Sequence, residues 1–353
     1  MAYTTINKSS SYFSTVQYAG TGVDDRAVTG VGFAPDFVWI KKRNDSDWHD
    51  LNDTVRGATK VIYTNVTDAE DTITTSLKVF DSDGYTHGTN GQVNGSGGNY
   101  VGWNWKAGTT SGIDATGATI TPTGYSFNAT SKFSIIKYTG NDTNNAAVPH
   151  GLGVVPNLII IKDLSGTEHW AVHHTGMSAS KMAYFNINNA EETSQFGSTA
   201  NTSVLFHLGT NAMVNSSSKN YIAYCFANVR GYCKSDRYVG NNSTDGVYIF
   251  TGFRPEWMFM KQINTTGNWA LIDGTRGYAN VSNHTLATNS ANAESSYGGG
   301  ENVFGGSNKM DLLSNGFKIR EASAYNNASG GTYIYTAFGQ SIVGTNQIPG
   351  TAR

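Results

Sequence analysis

The sequence predicts an all-β protein built from three tandem antiparallel β-sandwich repeats, of jelly-roll or lectin-like type. Two phrases carry that expectation, because each occurs three times. The first is Gly-x-x-Pro with a Lys six positions after the Pro: Gly32–Pro35–Lys41, Gly153–Pro156–Lys162 and Gly252–Pro255–Lys261. The second is Asn-x5-Tyr-[Val/Ile]-x3-[Trp/Phe]: Asn94–Tyr100–Trp105, Asn215–Tyr221–Phe226 and Asn327–Tyr333–Phe338. Only six prolines exist among 353 residues, and three fill one repeat position. Internal periodicity on this scale marks a duplicated module of domain size.

Within each copy the elements read as strands. Phe37-Val38-Trp39-Ile40, Leu158-Ile159-Ile160-Ile161 and Trp257-Met258-Phe259-Met260 are short apolar runs with Gly and Pro upstream and Lys at the end. Such runs fit central strands better than helices, and Pro at a strand's start costs no ladder bond. The closing segments Tyr100–Trp105, Tyr221–Phe226 and Tyr333–Phe338 mix small and aromatic residues, as strands buried on at least one face do. Gly-rich stretches such as Asn94–Gly98 supply tight turns before them. The only helical periodicity is a short, Thr-rich stretch around Asp68–Leu77.

These matches set the expected boundaries: a leader at 1–11, repeat 1 at 12–107, a Gly/Thr/Ala-rich linker at 108–131 with room for one strand, repeat 2 at 132–228, repeat 3 at 229–341, and a tail at 342–353. Three similar units also admit a pseudo-threefold arrangement.

Composition bounds the function. Charged residues make up 14% and glycines number 41, against roughly 25% charged residues in an average domain. Aromatics at 12% argue against disorder. A net charge of −2 with scattered Lys and Arg offers no stripe for phosphates, so no nucleic-acid partner is expected. Residues 1–12 carry no apolar core or cleavage signal, and no window is apolar enough to cross a membrane, so neither secretion nor membrane insertion is expected. Cys225 lies in an apolar run and reads as a buried thiol, although a bridge to Cys233 is conceivable.

One further element follows the Lys-ended strands. Repeat 1 has Asp53-Thr54-x-Arg56-Gly57 and repeat 3 has Asp273-Gly274-x-Arg276-Gly277. In repeat 2 the aligned positions hold His174 and Met177. A carboxylate and a guanidinium at a turn suit a sugar or charged ligand; they equally suit a local pair that fixes the turn. Trp48 and Trp269, beside polar turns, are the aromatic candidates for stacking on a sugar, whereas Trp39, Trp103, Trp105 and Trp257 read as core. The candidate ligand-binding set is therefore Trp48, Asp53, Arg56, Trp269, Asp273 and Arg276.

No catalytic residues, metal or cofactor are expected. Carboxylates do not recur as a pair across the repeats. Asp81-Ser82-Asp83-Gly84 lacks the later ligands of a calcium loop and reads as a turn. His150, His169, His173, His174 and His207 match no zinc spacing. Gly298-Gly299-Gly300 lacks the Lys-Ser/Thr of a phosphate loop.

The stretches Gly32–Arg43, His150–Asp163, Thr251–Gln262, Asp53–Gly57 and Asn327–Phe338 resemble a repeat found in structural proteins of tailed bacteriophages, particularly those of aquatic bacteria and cyanobacteria. The resemblance spans about residues 12–341. It implies a virion protein made in the host cytoplasm, present in several copies, with other virion proteins and host-surface polysaccharide as partners. A tail-fibre or tail-tip adhesin is the leading expectation. A capsid decoration, spike or connector is the alternative, and a glycan depolymerase the least expected. The resemblance carries no catalytic residues.

Overall fold

The computed structural model describes residues 3–277, 280, 284–295, 310–323 and 325–341. The expected tail at 342–353 and the Gly298–Gly300 run lie outside the described residues. The fold is all-β: every element longer than four residues is a strand, and the strands pair antiparallel.

The first segment runs β1 (Phe13–Ala19), β2 (Arg26–Thr29), β3 (Phe37–Lys42), β4 (His49–Asp53), β5 (Lys60–Tyr63), β6 (Asp71–Thr72), β7 (Leu77–Asp81), β8 (Gly84–His87), the single turn α1 (Gly91–Asn94) and β9 (Asn99–Trp105). The second runs β10 (Gly124–Asn128), β11 (Phe133–Thr139), β12 (Ala146–Pro149), β13 (Leu158–Asp163), β14 (Ala171–His174), β15 (Lys181–Tyr184), β16 (Glu192–Thr193), β17 (Leu205–Leu208), α2 (Ala212–Asn215) and β18 (Asn220–Phe226). The third runs β19 (Cys233–Val239), β20 (Tyr248–Phe250), β21 (Phe253–Gln262), β22 (Ala270–Asp273), β23 (Leu286–Ala287), β24 (Met310–Leu313), β25 (Gly316–Ile319) and β26 (Thr332–Ser341).

Each segment holds one large and one small sheet. The large ones are ordered β1-β9-β3-β4-β5-β6, β10-β11-β18-β13-β14-β15-β16 and β19-β26-β21-β22-β23. Register repeats with order. Trp105, Phe226 and Phe338 pair on one side with Phe13, Phe133 and Cys233, and on the other with Phe37, Leu158 and Trp257. The small sheets are β2-β8-β7, β12-β17 and β20-β25-β24.

The apolar runs are continuous because both faces of their strands are covered. Val38 and Ile40 turn to the first segment's small sheet, meeting Val28 and Tyr85. Ile159 and Ile161 meet Val148 and Phe206, and Met258 and Met260 meet Ile249 and Phe317. Successive strand residues face opposite ways. The alternate set, Phe37, Trp39, Leu158, Ile160, Trp257 and Phe259, therefore points the other way, into one core shared by all three segments. There Trp105, Phe226 and Phe338 meet edge to face, with ring centroids 5.6–6.3 Å apart. Burying each such ring contributes roughly 1.5–3 kcal/mol, so this shared core is a large part of the cohesion.

The repeated phrases have local causes. Gly32, Gly153 and Gly252 adopt φ of +87°, +70° and +85°, where a side chain is strained. Asn94, Asn215 and Asn327 each accept a backbone N–H and donate to two carbonyls, tying the loops beside the helical turn or its counterpart. Tyr100, Tyr221 and Tyr333 stack on Tyr18, Tyr138 and Tyr238 at 4.9–5.2 Å.

Residues 108–131 are more than a connection. β10 lies within them and becomes the outer strand of the second large sheet, while Ile120 is buried in that segment's core. The short stretch around Asp68–Leu77 holds β6 and no helix. Of the leader, Ile6 enters the shared core and Ser9 bonds Gln340 and Glu256 of the third segment.

Candidate functional site

The Asp–Arg element closes β4 and β22. Asp53 Oδ1 accepts from the backbone N–H groups of Val55 and Arg56 at 3.0 and 2.8 Å, and Arg56 Nε donates to Oδ2 at 2.5 Å. Arg56 also donates to the Leu51 carbonyl at 2.8 Å. Asp273 and Arg276 repeat every one of these bonds with Thr275 and Leu271. In both pairs the two side chains are fully buried. A short carboxylate that caps a turn while gripping the turn's own Arg explains the Asp-x-x-Arg spacing.

The remaining lone pair of each carboxylate reaches another segment. Tyr224 Oη donates to Asp53 Oδ2 at 2.7 Å, joining the second segment to the first. Trp103 Nε1 donates to Asp273 Oδ2 at 3.0 Å, joining the first to the third. At the aligned place in the second segment His174 Nδ1 accepts from the Gly176 N–H at 2.9 Å. Its Nε2–H then faces the Tyr335 carbonyl at 3.0 Å and Thr336 Oγ1 at 3.3 Å, in the third segment. Burial pushes His174 down to about 4, which keeps it a neutral donor. Trp103, Tyr224 and Thr336 all stand two residues before the central Trp105, Phe226 and Phe338. One position thus ties first to second, second to third and third to first.

Two further sets follow the same circuit. Trp170 Nε1 donates to the Tyr63 carbonyl of the first segment at 3.0 Å, and Trp269 Nε1 to the Tyr184 carbonyl of the second at 2.7 Å. His49 stands at the matching place and accepts from Trp39 Nε1 at 3.0 Å, but its buried Nε2 makes no hydrogen bond among the described residues, so this set ties only two of the three junctions. The N–H groups of Glu70, Glu191 and Glu294 bond the Leu164, Ile263 and Arg43 carbonyls at 3.1, 2.8 and 2.7 Å. Glu294 adds a buried carboxylate between Arg43 Nε at 2.8 Å and Arg276 Nη1 at 2.9 Å.

The repeated lysines are anchors too. Lys41, Lys162 and Lys261 point Nζ at carbonyls of the loops that follow their strands, and Lys261 also reaches Asn188 of the second segment. Burial pushes the first two down to about 8 and Lys261 to about 7.

Five of the six predicted ligand residues are therefore interior. Asp53, Arg56, Asp273, Arg276 and Trp269 are at most 7% exposed, and at that burial they present no face to a sugar. The structure brings Asp53 to Arg56 and Asp273 to Arg276, and spends both pairs on turns and junctions. Trp48 alone is exposed, edge-on to Tyr63 at 4.9 Å. The five histidines of the second segment are spread: His150 binds the Leu152 N–H, His169 meets Asn186, and His173 packs on Phe196. Both cysteines are buried free thiols. Asp81 and Gly84 flank the turn between β7 and β8, where Asp83 accepts from the N–H of Gly30.

Sequence reasoning missed the partners Trp103, Tyr224 and Thr336 and the junction glutamates. A weak signal for the latter exists. Glu70 and Glu191 stand at equal spacing after Arg56 and Met177, while Glu294 lies further from Arg276.

No curated protein and no solved structure matches this chain. Residues 8–341, nearly its whole length, match the family described as a domain of unknown function, DUF7483. The chain belongs to that family.

Proposed function

We propose that the chain is a bacteriophage virion structural protein, most plainly a tail-fibre or tail-tip adhesin that meets host-surface glycans. In this reading three copies of one β-sandwich module surround a pseudo-threefold axis. The observation that carries the reading is the closed circuit of junction bonds. Every repeated polar residue is engaged in turns, loops or seams, which suits a rigid part whose task is presentation. The resemblance of the repeated phrases to structural proteins of tailed phages supplies the setting, and the loop-rich surface supplies hydroxyls and amides for weak, multivalent contact.

Immunogold labelling of phage particles, paired with binding of the purified chain to host cells, tests this. Label at the tail tip with saturable binding is the expected result. Label absent from particles would end the reading. A capsid decoration or connector is the second reading, favoured by the threefold likeness of the junctions, since such a molecule fits a threefold partner surface. Label on the capsid would select it.

A further inference from the structure

The three junctions differ in one respect. At two of them the turn after the strand that ends in Asp273 or His174 lies directly against the next segment's edge: Gln17 of β1 donates to the Thr275 carbonyl at 2.9 Å, and a Cβ on Gly176 would stand 3.2 Å from Cβ of Arg237 on β19. At the junction of the first and second segments β10 is wedged in between. Gly124 lies close against the first segment there: a Cβ on it would stand 3.1 Å from Val55 Cγ1. The wedge holds the two segments apart at the surface and opens a groove of about 490 Å³, lined by Asp36, Thr54, Val55, Pro122, Thr123 and Tyr125 among others. Sites for small ligands are of roughly 300–1,000 Å³.

We propose that this groove binds one or two residues of a neutral, hydroxyl-rich glycan. The inference rests on the adhesin reading above and gives it a site. Asp36 Oδ1 accepts from Thr54 Oγ1 at 3.1 Å and Ser126 Oγ at 3.2 Å, and Oδ2 accepts from the Ala107 N–H at 2.9 Å. A carboxylate has about four acceptor positions, so one on Oδ2 is left for a ligand hydroxyl. Thr54 donates inward and keeps its lone pairs, while Tyr125 Oη accepts from the Ile113 N–H at 3.4 Å and keeps its proton. The groove therefore offers a sugar's hydroxyls acceptors at Asp36 and Thr54 and a donor at Tyr125, and the half-buried Tyr125 ring adds an apolar face for sugar C–H groups. Asp36 is the only charged lining residue; burial raises its pKa, against three hydrogen bonds and the nearby Lys106, which favour the anion. A second anion in the groove is disfavoured. Uronic and sulfated sugars are thereby selected against. One carboxylate without a second across the groove binds a glycosidic bond and does not cleave it.

The test titrates the purified full chain with neutral hexose oligosaccharides and with matched uronic-acid oligosaccharides, read by saturation-transfer NMR. Wild type is expected to take the neutral series with at least about fivefold preference. Thr123→Trp, which fills the groove from an exposed position, and Tyr125→Ala are each expected to weaken binding about tenfold or more with unchanged circular dichroism. Neutral-sugar binding that survives Thr123→Trp overturns this site and leaves the adhesin reading standing. Preference for the acidic series overturns the charge argument, and hence the site. If no sugar binds at about 10 mM while particles carry the label at the tail, the groove proposal fails and the virion reading survives.

Discussion

The junction between the first and second segments is tied by a buried carboxylate and its arginine, and the junction between the second and third by a neutral imidazole. Asp53 and His174 occupy the same place at the end of β4 and β14, and both accept an N–H from their own turn. Where Asp53 has Arg56, His174 has Met177, packed into the shared core. Across the seam the partner changes in step: Tyr224 gives a hydroxyl proton to the carboxylate, while the Tyr335 carbonyl takes the imidazole proton. What the position preserves is a hydrogen bond between segments. Charge and donor direction are free to vary, provided that each buried polar atom finds its complement.

The contrast is broken most forcefully at Asp53. Asp53→Ala leaves Arg56 buried beside only Glu70 and carbonyls, and is expected to cost about 3–5 kcal/mol in urea unfolding. His174→Ala removes no counter-charge and should cost less. Acidification acts on the other junction. The folded pKa of His174 is depressed from 6.5 to about 4, chiefly by burial, with His173 opposing its charge and Asp236 favouring it. The neutral form is therefore the folded one. Its contribution is complete above pH about 6.5 and is lost as pH falls toward 4, by on the order of 3 kcal/mol. Denaturant midpoints across that range should fall more steeply in wild type than in His174→Gln. His49, His87, His150, His173 and His207, all depressed by burial, add to the slope that remains.

Tyr224→Phe sharpens the comparison from the partner's side. It deletes a donor to an ionised group and should cost about 1.5–3 kcal/mol by the same unfolding measurement. Thr336→Val at the imidazole junction should cost about 1 kcal/mol, set by the buried Ser235 Oγ losing its 2.8 Å partner, because the Tyr335 carbonyl still receives the His174 proton. Equal losses in the two variants would mean that the junctions are energetically alike despite their chemistry.

The all-β character and the strand positions were legible because the recurring phrases are local. Trp39, Trp103, Trp105 and Trp257 sit in strands of the expected pattern and prove to be core. Other features were hidden by distance along the chain. Asp53 meets Tyr224 and Asp273 meets Trp103 across some 170 residues, so the Asp-x-x-Arg spacing reveals the turn and not the seam that buries it. Trp269 follows the polar stretch Asn264–Asn268, which suggests exposure; the adjoining segment's Tyr184 carbonyl accepts its indole N–H and the side chain is buried. β10 escaped recognition as a sheet member because Gly, Thr and Ala dominate its surroundings. Its Tyr125 and Phe127 alternate with Ser126, too short a pattern to stand out.

The shared aromatic core has a cost in time. While the chain is being made at roughly 5–20 residues per second, Trp39 and Trp105 lack their covering partners until Trp257 and Phe338 emerge, some tens of seconds later. A nascent first segment is thus a sheet with one greasy side bare to solvent. Chains truncated after the second segment should be the ones that clump.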